Sequence, residues 1–336
     1  MSATQLVCPS NPELFQDLGQ VVQDGHSLIF DGLQVSSRPK RTHGWESQDL
    51  AAISLFKASV NEKYLQAAYA EAALVTEAEE GGCSATTVVL THDDVRVAWL
   101  GDSPAFLIGV HPETGLIKEI KGLNEPHIPI YDRFSILDKG GRIDEDGRLD
   151  LDAPATDQIN NYSLSMSRSF GNRWLSSLLS RVPSVVHWPL HALDFSLNWY
   201  ALLGSDGILP DSERNLMFPA SCEVKPQDND IIQRCAEQFK AMVNVLCPPG
   251  TAISNWAPLV TQKAQEKLAA MEADADKKQV GYAAIDDTTF MLCPITALKP
   301  GITVVLTVTD GHRLGGEVTA AKAINAIHAS LRRSIE

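Results

Sequence analysis

The sequence predicts an α+β fold whose sheets are antiparallel, and three observations carry that prediction. The β-branched runs Ala85-Thr86-Thr87-Val88-Val89-Leu90 and Val95-Arg96-Val97-Ala98-Trp99-Leu100 are divided only by the short polar turn His92-Asp93-Asp94. Such a turn joins a hairpin and leaves no room for the helical crossover that parallel strands need. Further apolar runs at 105–109, 199–203 and 288–293 read as strands, while helical spacing is confined to separate segments, so the chain does not alternate as βαβ units do.

Taken in order, residues 14–32 read as a strand pair, Val21-Val22 in one run and Ser27-Leu28-Ile29-Phe30 in the next, with the turn formers Asp24-Gly25 between them. A polar stretch rich in Ser, Arg and Lys follows. Residues 47–80 are rich in Ala, Glu and Leu, with Leu50, Ile53, Phe56, Val60 and Tyr64 near helical spacing, and predict one or two helices. After the hairpin and the 105–109 strand, residues 122–162 read as a long irregular excursion with a short helix around Tyr131 to Lys139, the kind of loop that usually serves a site. Trp199-Tyr200-Ala201-Leu202-Leu203 is a buried strand, residues 256–276 an amphipathic helix, and Thr288 to Cys293 another strand. With no solenoid repeat and no low-complexity linker, residues 10–295 read as one domain.

Composition narrows the function. The chain has 336 residues, 44% hydrophobic and 21% charged, enough for one large core or two smaller ones. A net charge of −14 with 28 scattered Lys and Arg argues against nucleic acid as a partner and agrees with cation binding. The six cysteines form no CxxC pair, which argues for reduced thiols over a zinc site or a disulfide framework. The start Met1-Ser2-Ala3-Thr4-Gln5 lacks a basic, apolar leader, and no run approaches the roughly 18 to 20 apolar residues of a membrane span. A soluble cytoplasmic protein with no membrane partner is expected.

Three aspartates stand at strand ends: Asp31 in Phe30-Asp31-Gly32, Asp206 in Leu203-Gly204-Ser205-Asp206-Gly207, and Asp286 in Ile285-Asp286-Asp287-Thr288. Taken singly, an Asp-Gly is more often simply a turn. Together, strand-end carboxylates can converge on one rim of a sheet. Mg²⁺ and Mn²⁺ prefer such oxygen donors, and a two-metal site activates water for in-line attack on phosphorus without a protein nucleophile.

Five segments resemble, in order, the type 2C serine/threonine protein phosphatase family. Gly82-Cys83-Ser84-Ala85-Thr86-Thr87 resembles its Gly-Ser-Thr-Ala strand, and Ala98-Trp99-Leu100-Gly101-Asp102-Ser103-Pro104-Ala105 its Val-Gly-Asp-Ser-Arg-Ala hairpin. Gly140-Gly141-Arg142-Ile143 is similar to the Gly-Gly-Arg-Val before its flap. Leu164 to Asn172 is similar to Leu-Ala-Val-Ser-Arg-Ala-Leu-Gly-Asp, and Leu202 to Ile208 to Leu-Leu-Ala-Ser-Asp-Gly-Leu. The resemblance implies two packed antiparallel β-sheets flanked by helices, an α-β-β-α sandwich with a metal site at one end. It implies a metal-dependent hydrolase that removes phosphate from phosphoserine and phosphothreonine of proteins, using two Mg²⁺ or Mn²⁺ ions. By the same resemblance Asp31 bridges both metals, Gly32 lends its carbonyl, Asp206 and Asp286 complete one inner shell, and Asp17 of Gln16-Asp17 holds metal-bound water. Asp287 supports them, and Asp102 and Arg168 fall at structural positions.

The chain also departs from the family pattern. Pro12 stands where a phosphate-binding arginine is expected, leaving Arg38 or Arg41 to supply that charge. Leu33-Gln34 replaces His-Gly after Asp31-Gly32, and Asn124-Glu125-Pro126-His127 offers only Glu125 for a third metal. The tail, residues 296–336, carries an apolar strand over Ile302 to Thr309 running into Asp310-Gly311-His312-Arg313-Leu314-Gly315-Gly316 and then an Ala-rich helix to Arg333. This element is more like the family's Asp-Gly-His-Gly-Gly element than residues 28–34 are. It reads either as an extension, its strand pairing with 290–294 through the turn Lys299-Pro300-Gly301, or as a permuted element in which Asp310 and His312 take the metal-bridging and acid roles. An active phosphatase acting on a phosphorylated protein, with a kinase or its target as partner, is the first functional expectation. A catalytically impaired binding or regulatory module is the second, and hydrolysis of a small phosphorylated metabolite the third. His43, His127 and His312 lie in polar stretches and none is singled out as an acid.

Overall fold

The computed structural model describes residues 16–21, 27–30, 33–38, 49–144, 147–151, 164–209, 231–263, 266, 288–295, 298, 300–312 and 315–335. In chain order the strands are β1 (Gln16–Val21), β2 (Ser27–Phe30), β3 (Leu33–Arg38), β4 (Leu50–Phe56), β5 (Gly82–Leu90), β6 (Asp94–Leu100), β7 (Ala105–Val110) and β8 (Ile117–Gly122). There follow β9 (Gly141–Ile143), β10 (Leu149–Leu151), β11 (Phe170–Gly171), β12 (Ser184–Pro189), β13 (Asn198–Gly204), β14 (Thr288–Pro294) and β15 (Thr303–His312). The helices with described bounds are α1 (Glu62–Val75), α2 (Arg133–Asp138), α3 (Ile231–Leu246) and α4 (Gly316–Ile335); residues 256–263 are also helical, at the start of the helix expected over 256–276, most of whose remainder lies outside the described residues.

The strands form two antiparallel sheets, β1-β4-β15-β5-β6-β12 and β2-β3-β14-β13-β7-β8, with β11 pairing on the start of β5 and β9-β10 as a separate hairpin. Alternate residues of each sheet meet in the middle: Ala51, Ile53, Val88, Leu306 and Val308 from the first pack with Trp199, Ala201, Leu203 and Met291 from the second. The other face of the first sheet is covered by α1 and α4 through Leu65, Tyr69, Ala320, Ile324 and Ile327. On the second, Phe239 of α3 stacks on Phe106 and Phe290 at 5.6 and 6.4 Å between ring centroids. The result is the α-β-β-α sandwich.

Burial on both faces explains one correction. Residues 50–56 are strand β4, not helix, and helix α1 begins only at Glu62, after Asn61 caps it by accepting from the Tyr64 N–H at 3.1 Å. A strand sandwiched between helices and a second sheet is apolar at every position, so the three-residue spacing of Leu50, Ile53 and Phe56 imitates a helix. The expected pair within 14–32 is also not a pair: β1 joins β4 in the first sheet and β2 joins β3 in the second. Strand β3 lies in the stretch read as merely polar, and α3 was not foreseen.

The tail strand is placed differently from the expected hairpin with 290–294. β15 runs between β4 and β5, with Val308 opposite both Ala51 and Thr86, while β14 stays in the other sheet. Residues 303–335 thus form the centre and cover of the first sheet. Behind them runs a buried polar chain: His328 contacts Ser54 Oγ at 2.6 Å and Thr307 Oγ1 at 2.9 Å, Thr307 meets Thr87 at 3.0 Å, and Tyr69, whose hydroxyl donates to the Ala98 carbonyl at 2.7 Å, meets Thr87 Oγ1 at 3.1 Å. Cys83, Cys235, Cys247 and Cys293 are buried and in no disulfide. Among the described residues no helix is long and apolar enough to cross a membrane.

Candidate active site

Residues 101–104 carry the chain from the end of β6 in the first sheet to the start of β7 in the second, across one end of the sandwich. Pairing registers bring several other termini to that rim. β15 ends there, β4 and β5 begin there, and β13 ends where β14 begins, with Gly204 opposite Phe290. Asp310 lies opposite Ser84, and Thr309 opposite Leu50, so continuing that register sets Asp49 beside Asp310. Both keep step with core residues facing the second sheet, Asp49 with Ala51 and Ile53, Asp310 with Val308 and Leu306, so both carboxylates point between the sheets.

Asp206 comes to the rim from the second sheet. The Ser205 N–H donates to the Thr289 carbonyl at 3.1 Å, Ser205 Oγ accepts from the Thr289 N–H at 2.9 Å, and the Gly204 N–H donates to the Pro104 carbonyl at 3.1 Å. A Cβ at Gly204 would stand 2.7 Å from the Thr289 carbonyl oxygen, so the close approach requires glycine. Asp49, Asp102, Asp206 and Asp310 are 0%, 2%, 6% and 8% exposed. Gathering four buried carboxylates at one rim is expensive unless hydrogen bonds or cations offset the desolvation.

The connecting residues 101–104 are held by side chains acting in place of main chain. Ser103 Oγ meets Ser84 Oγ at 2.5 Å, and the Ser103 carbonyl accepts from Thr86 Oγ1 at 2.8 Å and Asn124 Nδ2 at 2.9 Å. Asn124 Oδ1 accepts from the Ala105 N–H at 2.7 Å. His127, stacked on Trp99, accepts the Gly101 N–H at Nδ1 over 3.1 Å, which leaves Nε2–H to donate to Ser184 Oγ at 2.9 Å. Burial, with the nearby Arg168 charge adding, pushes its pKa down to about 3. His127 is therefore a neutral brace, not the solvated loop residue its surroundings suggested. Glu125, the one flap residue suggested for a third metal, accepts Trp99 Nε1–H on its carbonyl at 2.7 Å and meets the Ile232 N–H at the start of α3 at 3.4 Å. Arg168 pairs with Asp132 at 3.3 Å and reaches the Val182 carbonyl at 3.2 Å.

Of the residues singled out from sequence, Asp206 is at the rim. Asp286 and Asp287 lie outside the described residues; Thr288, next in the chain, opens β14 at the rim opposite Arg38. Asp31 and Gly32 also lie outside the described residues. Their neighbours Phe30 and Leu33 pair with each other, and since Arg38 is the end of β3 at the rim, Leu33 is at the opposite end. Asp17 lies opposite Ser54 on β4, five residues from Asp49 and so about 17 Å along the strand. It does not join the rim. Asp49 was missed, although Gln48-Asp49 ahead of a buried strand repeats the Gln16-Asp17 pattern. Among the described residues no three His, Cys, Asp or Glu side chains form a group able to hold a metal ion.

A family model, protein phosphatase 2C, matches residues 34–210, more than half of the chain. No curated protein matches at a significant level. Among solved structures, serine-threonine phosphatase 2C from Toxoplasma gondii is 13% identical with a TM-score of 0.47, over 82% of this chain and 98% of that one. The catalytic domain of the serine threonine protein phosphatase PstP, in complex with 2 manganese ions, is 11% identical with a TM-score of 0.32, over 88% of this chain and 99% of that one.

Proposed function

The chain belongs to the protein phosphatase 2C family, and from that membership we propose that it hydrolyses phosphoserine and phosphothreonine in a protein substrate, using Mg²⁺ or Mn²⁺ at the rim. One observation carries the proposal: Asp310, at the end of the central strand, is buried between the strand that Asp49 precedes and the strand that carries Ser84, at the end where Asp206 arrives from the other sheet. The donors there are carboxylate oxygens, with the Gly311 carbonyl adjoining, which is the chemistry hard divalent cations select. No three described carboxylates close a metal group by themselves, so Asp310, Asp206 and Asp49 would hold the ions only together with Asp286, two residues ahead of Thr288, which is assigned as the donor that completes the set. Two such ions supply charge to the phosphoryl oxygens and make water acidic enough to serve as nucleophile at neutral pH.

The remaining roles fall to the chain itself. Arg38, whose backbone ends β3 against Thr288, is assigned to the phosphate in preference to Arg41. The braced residues 101–104 keep Ser84 and Asp310 in fixed register, so the carboxylates need no reorganisation when substrate arrives. In this reading residues 16–335 are one domain, the tail supplies a site residue, the protein is cytoplasmic, and a kinase or its target is the source of the phosphorylated partner.

A second reading, a binding module without turnover, is favoured by the engagement of Asn124, Glu125 and His127 in holding the fold. The two separate in an assay of the purified chain on a phosphothreonine peptide with Mn²⁺, Mg²⁺ or chelator. Hydrolysis that requires either ion supports the enzyme. A folded protein inert with both ions supports the binding module.

A further inference from the structure

Strand β12 is the last strand on one side of the first sheet, and the bonds beside it fix which of its main-chain groups face outward. The Leu190 N–H donates to the Asp93 carbonyl at 2.9 Å, one step beyond the opposed pair Pro189 and Asp94. Direction alternates along an antiparallel strand, so Ser184, Val186 and Trp188 bond to β6, while Val185 and His187 turn their N–H and C=O away from the sheet. The other side of β6 keeps the same alternation, since the Thr91 N–H donates to the Asp94 carbonyl at 2.9 Å and Asp94 therefore faces β5. Among the described residues nothing bonds to the outward groups of Val185 and His187.

Charged side chains usually keep such an edge from pairing, and Val182 to Pro189 holds no Lys, Arg, Asp or Glu. Val182 is 68% exposed and Trp188 38%. The edge of the second sheet at β8 is covered instead: the Gly122 N–H donates to Gln233 Oε1 at 3.0 Å and the Ile117 N–H to Asn244 Oδ1 at 2.9 Å, both amides from α3. The open edge of β12 is bounded by Pro183 and Pro189, which stand at equal distances on either side of Val186 and have no N–H to donate.

We propose that β12 is a self-pairing edge whose occupant is β12 of a second copy of this chain. With Val186 opposite Val186 of the second copy, Val185 of each copy meets His187 of the other. The outward N–H and C=O groups of both residues are then all used, in reciprocal hydrogen bonds about a two-fold axis through Val186. The next outward positions set Pro183 against Pro189, so the ladder stops where neither strand has a donor left unmet. An unrelated extended peptide would make the same kind of bond, but the symmetric placing of the prolines about Val186 singles out a copy of the strand itself. Pairing joins the two first sheets into one continuous sheet. Because β12 runs antiparallel to its copy, the two candidate rims face opposite ways.

The first measurement is sedimentation equilibrium of the full-length chain in reductant over a range of concentrations, and a monomer–dimer equilibrium is expected. His187→Pro deletes one outward N–H per copy and leaves the bonds to β6, a change an edge strand tolerates. It should weaken dimerisation by about tenfold or more, while His187→Ala, which keeps the N–H, should dimerise as the parent does. Register is read by oxidation. Directly opposed residues that exchange no hydrogen bond lie about 4.5 Å apart at Cα, within disulfide reach. Val186→Cys should therefore give a linked dimer beyond any the parent forms, and Trp188→Cys, opposite Ser184 of the other copy, should not. A chain that stays monomeric through the micromolar range overturns the proposal, as does a dimer indifferent to His187→Pro in a variant with a native unfolding transition. If His187→Pro does not fold, the cysteine variants decide alone: no excess linkage at Val186, or equal linkage at Trp188, refutes the two-fold register.

Discussion

Replacing Gly82 with alanine puts the packing around the candidate site to a quantitative test. The new methyl would lie 2.0 Å from Asn172 Nδ2, 2.4 Å from His312 Nε2 and 2.5 Å from Asn172 Cγ. Ordinary contact needs about 3.4 Å or more, so one side chain must retreat by over an ångström. Asn172 is held by its backbone turn and His312 by the strand ladder, so neither can withdraw and keep the 2.7 Å bond between Asn172 Nδ2 and His312 Nε2. Overpacking a buried position costs about 1–3 kcal/mol and the lost hydrogen bond about another 1 kcal/mol, giving a destabilisation of about 2–4 kcal/mol. Gly140→Ala is the control, since φ there is +81° but nothing lies within 4 Å of the added carbon, leaving backbone strain of about 1–2 kcal/mol. Urea unfolding of the two variants beside the parent measures both. If Gly82→Ala proves no more destabilising than Gly140→Ala, the tight contact among Gly82, Asn172 and His312 does not exist.

Other outcomes follow from the same geometry. Tyr69→Phe removes the hydroxyl that links the Ala98 carbonyl to the buried Thr87–Thr307–His328 chain and should lower unfolding free energy by about 1–2 kcal/mol; an unchanged urea midpoint argues against that chain. His127 stays neutral in the folded state between its ordinary pKa of 6.5 and its folded value of about 3, whereas in the unfolded chain it takes up a second ring proton over that range. Its contribution is therefore complete above about pH 6.5 and is lost as pH falls towards 3. His127→Gln should flatten the rise of unfolding free energy between pH 4 and 6 by up to about 1.4 kcal/mol per pH unit, and equal slopes would contradict the buried neutral ring. A chain ending at Pro300 lacks the central strand of the first sheet and the helix over it, so it should show no cooperative unfolding; a sharp transition would mean that β4 and β5 can close without β15.

The sandwich was legible in the sequence wherever a strand met its partner through a short turn, as in the 85–90 and 95–100 hairpin. It was obscured where both strand faces are buried, because Leu50, Ile53 and Phe56 then satisfy either periodicity. Pairing across large separations was the least readable feature. β15 is followed by the expected helix and carries the expected Asp-Gly-His, but its partners β4 and β5 lie over two hundred residues away. A turn such as Lys299-Pro300-Gly301 suggests a hairpin with the preceding strand and cannot reveal that the chain is passing to the other sheet. Asp206 was readable from its own strand because it needs only a local strand end and a glycine. Asp49 and Asp310 depend on the register of β4 against β15, which no local pattern encodes. The Asp310 alternative was visible only because its motif was the fuller one in the wrong place.

In the proposed site the tail aspartate, Asp310, takes the place expected of Asp31 as a ligand of the divalent cations. Calorimetric titration of Mn²⁺ into the metal-free chain and into Asp310→Asn and Asp31→Asn, each checked for a native unfolding transition, tests it most directly. Asp310→Asn should weaken Mn²⁺ binding by about tenfold or more, while Asp31→Asn binds as the parent does. The reverse pattern, binding retained in Asp310→Asn and lost in Asp31→Asn, would contradict it.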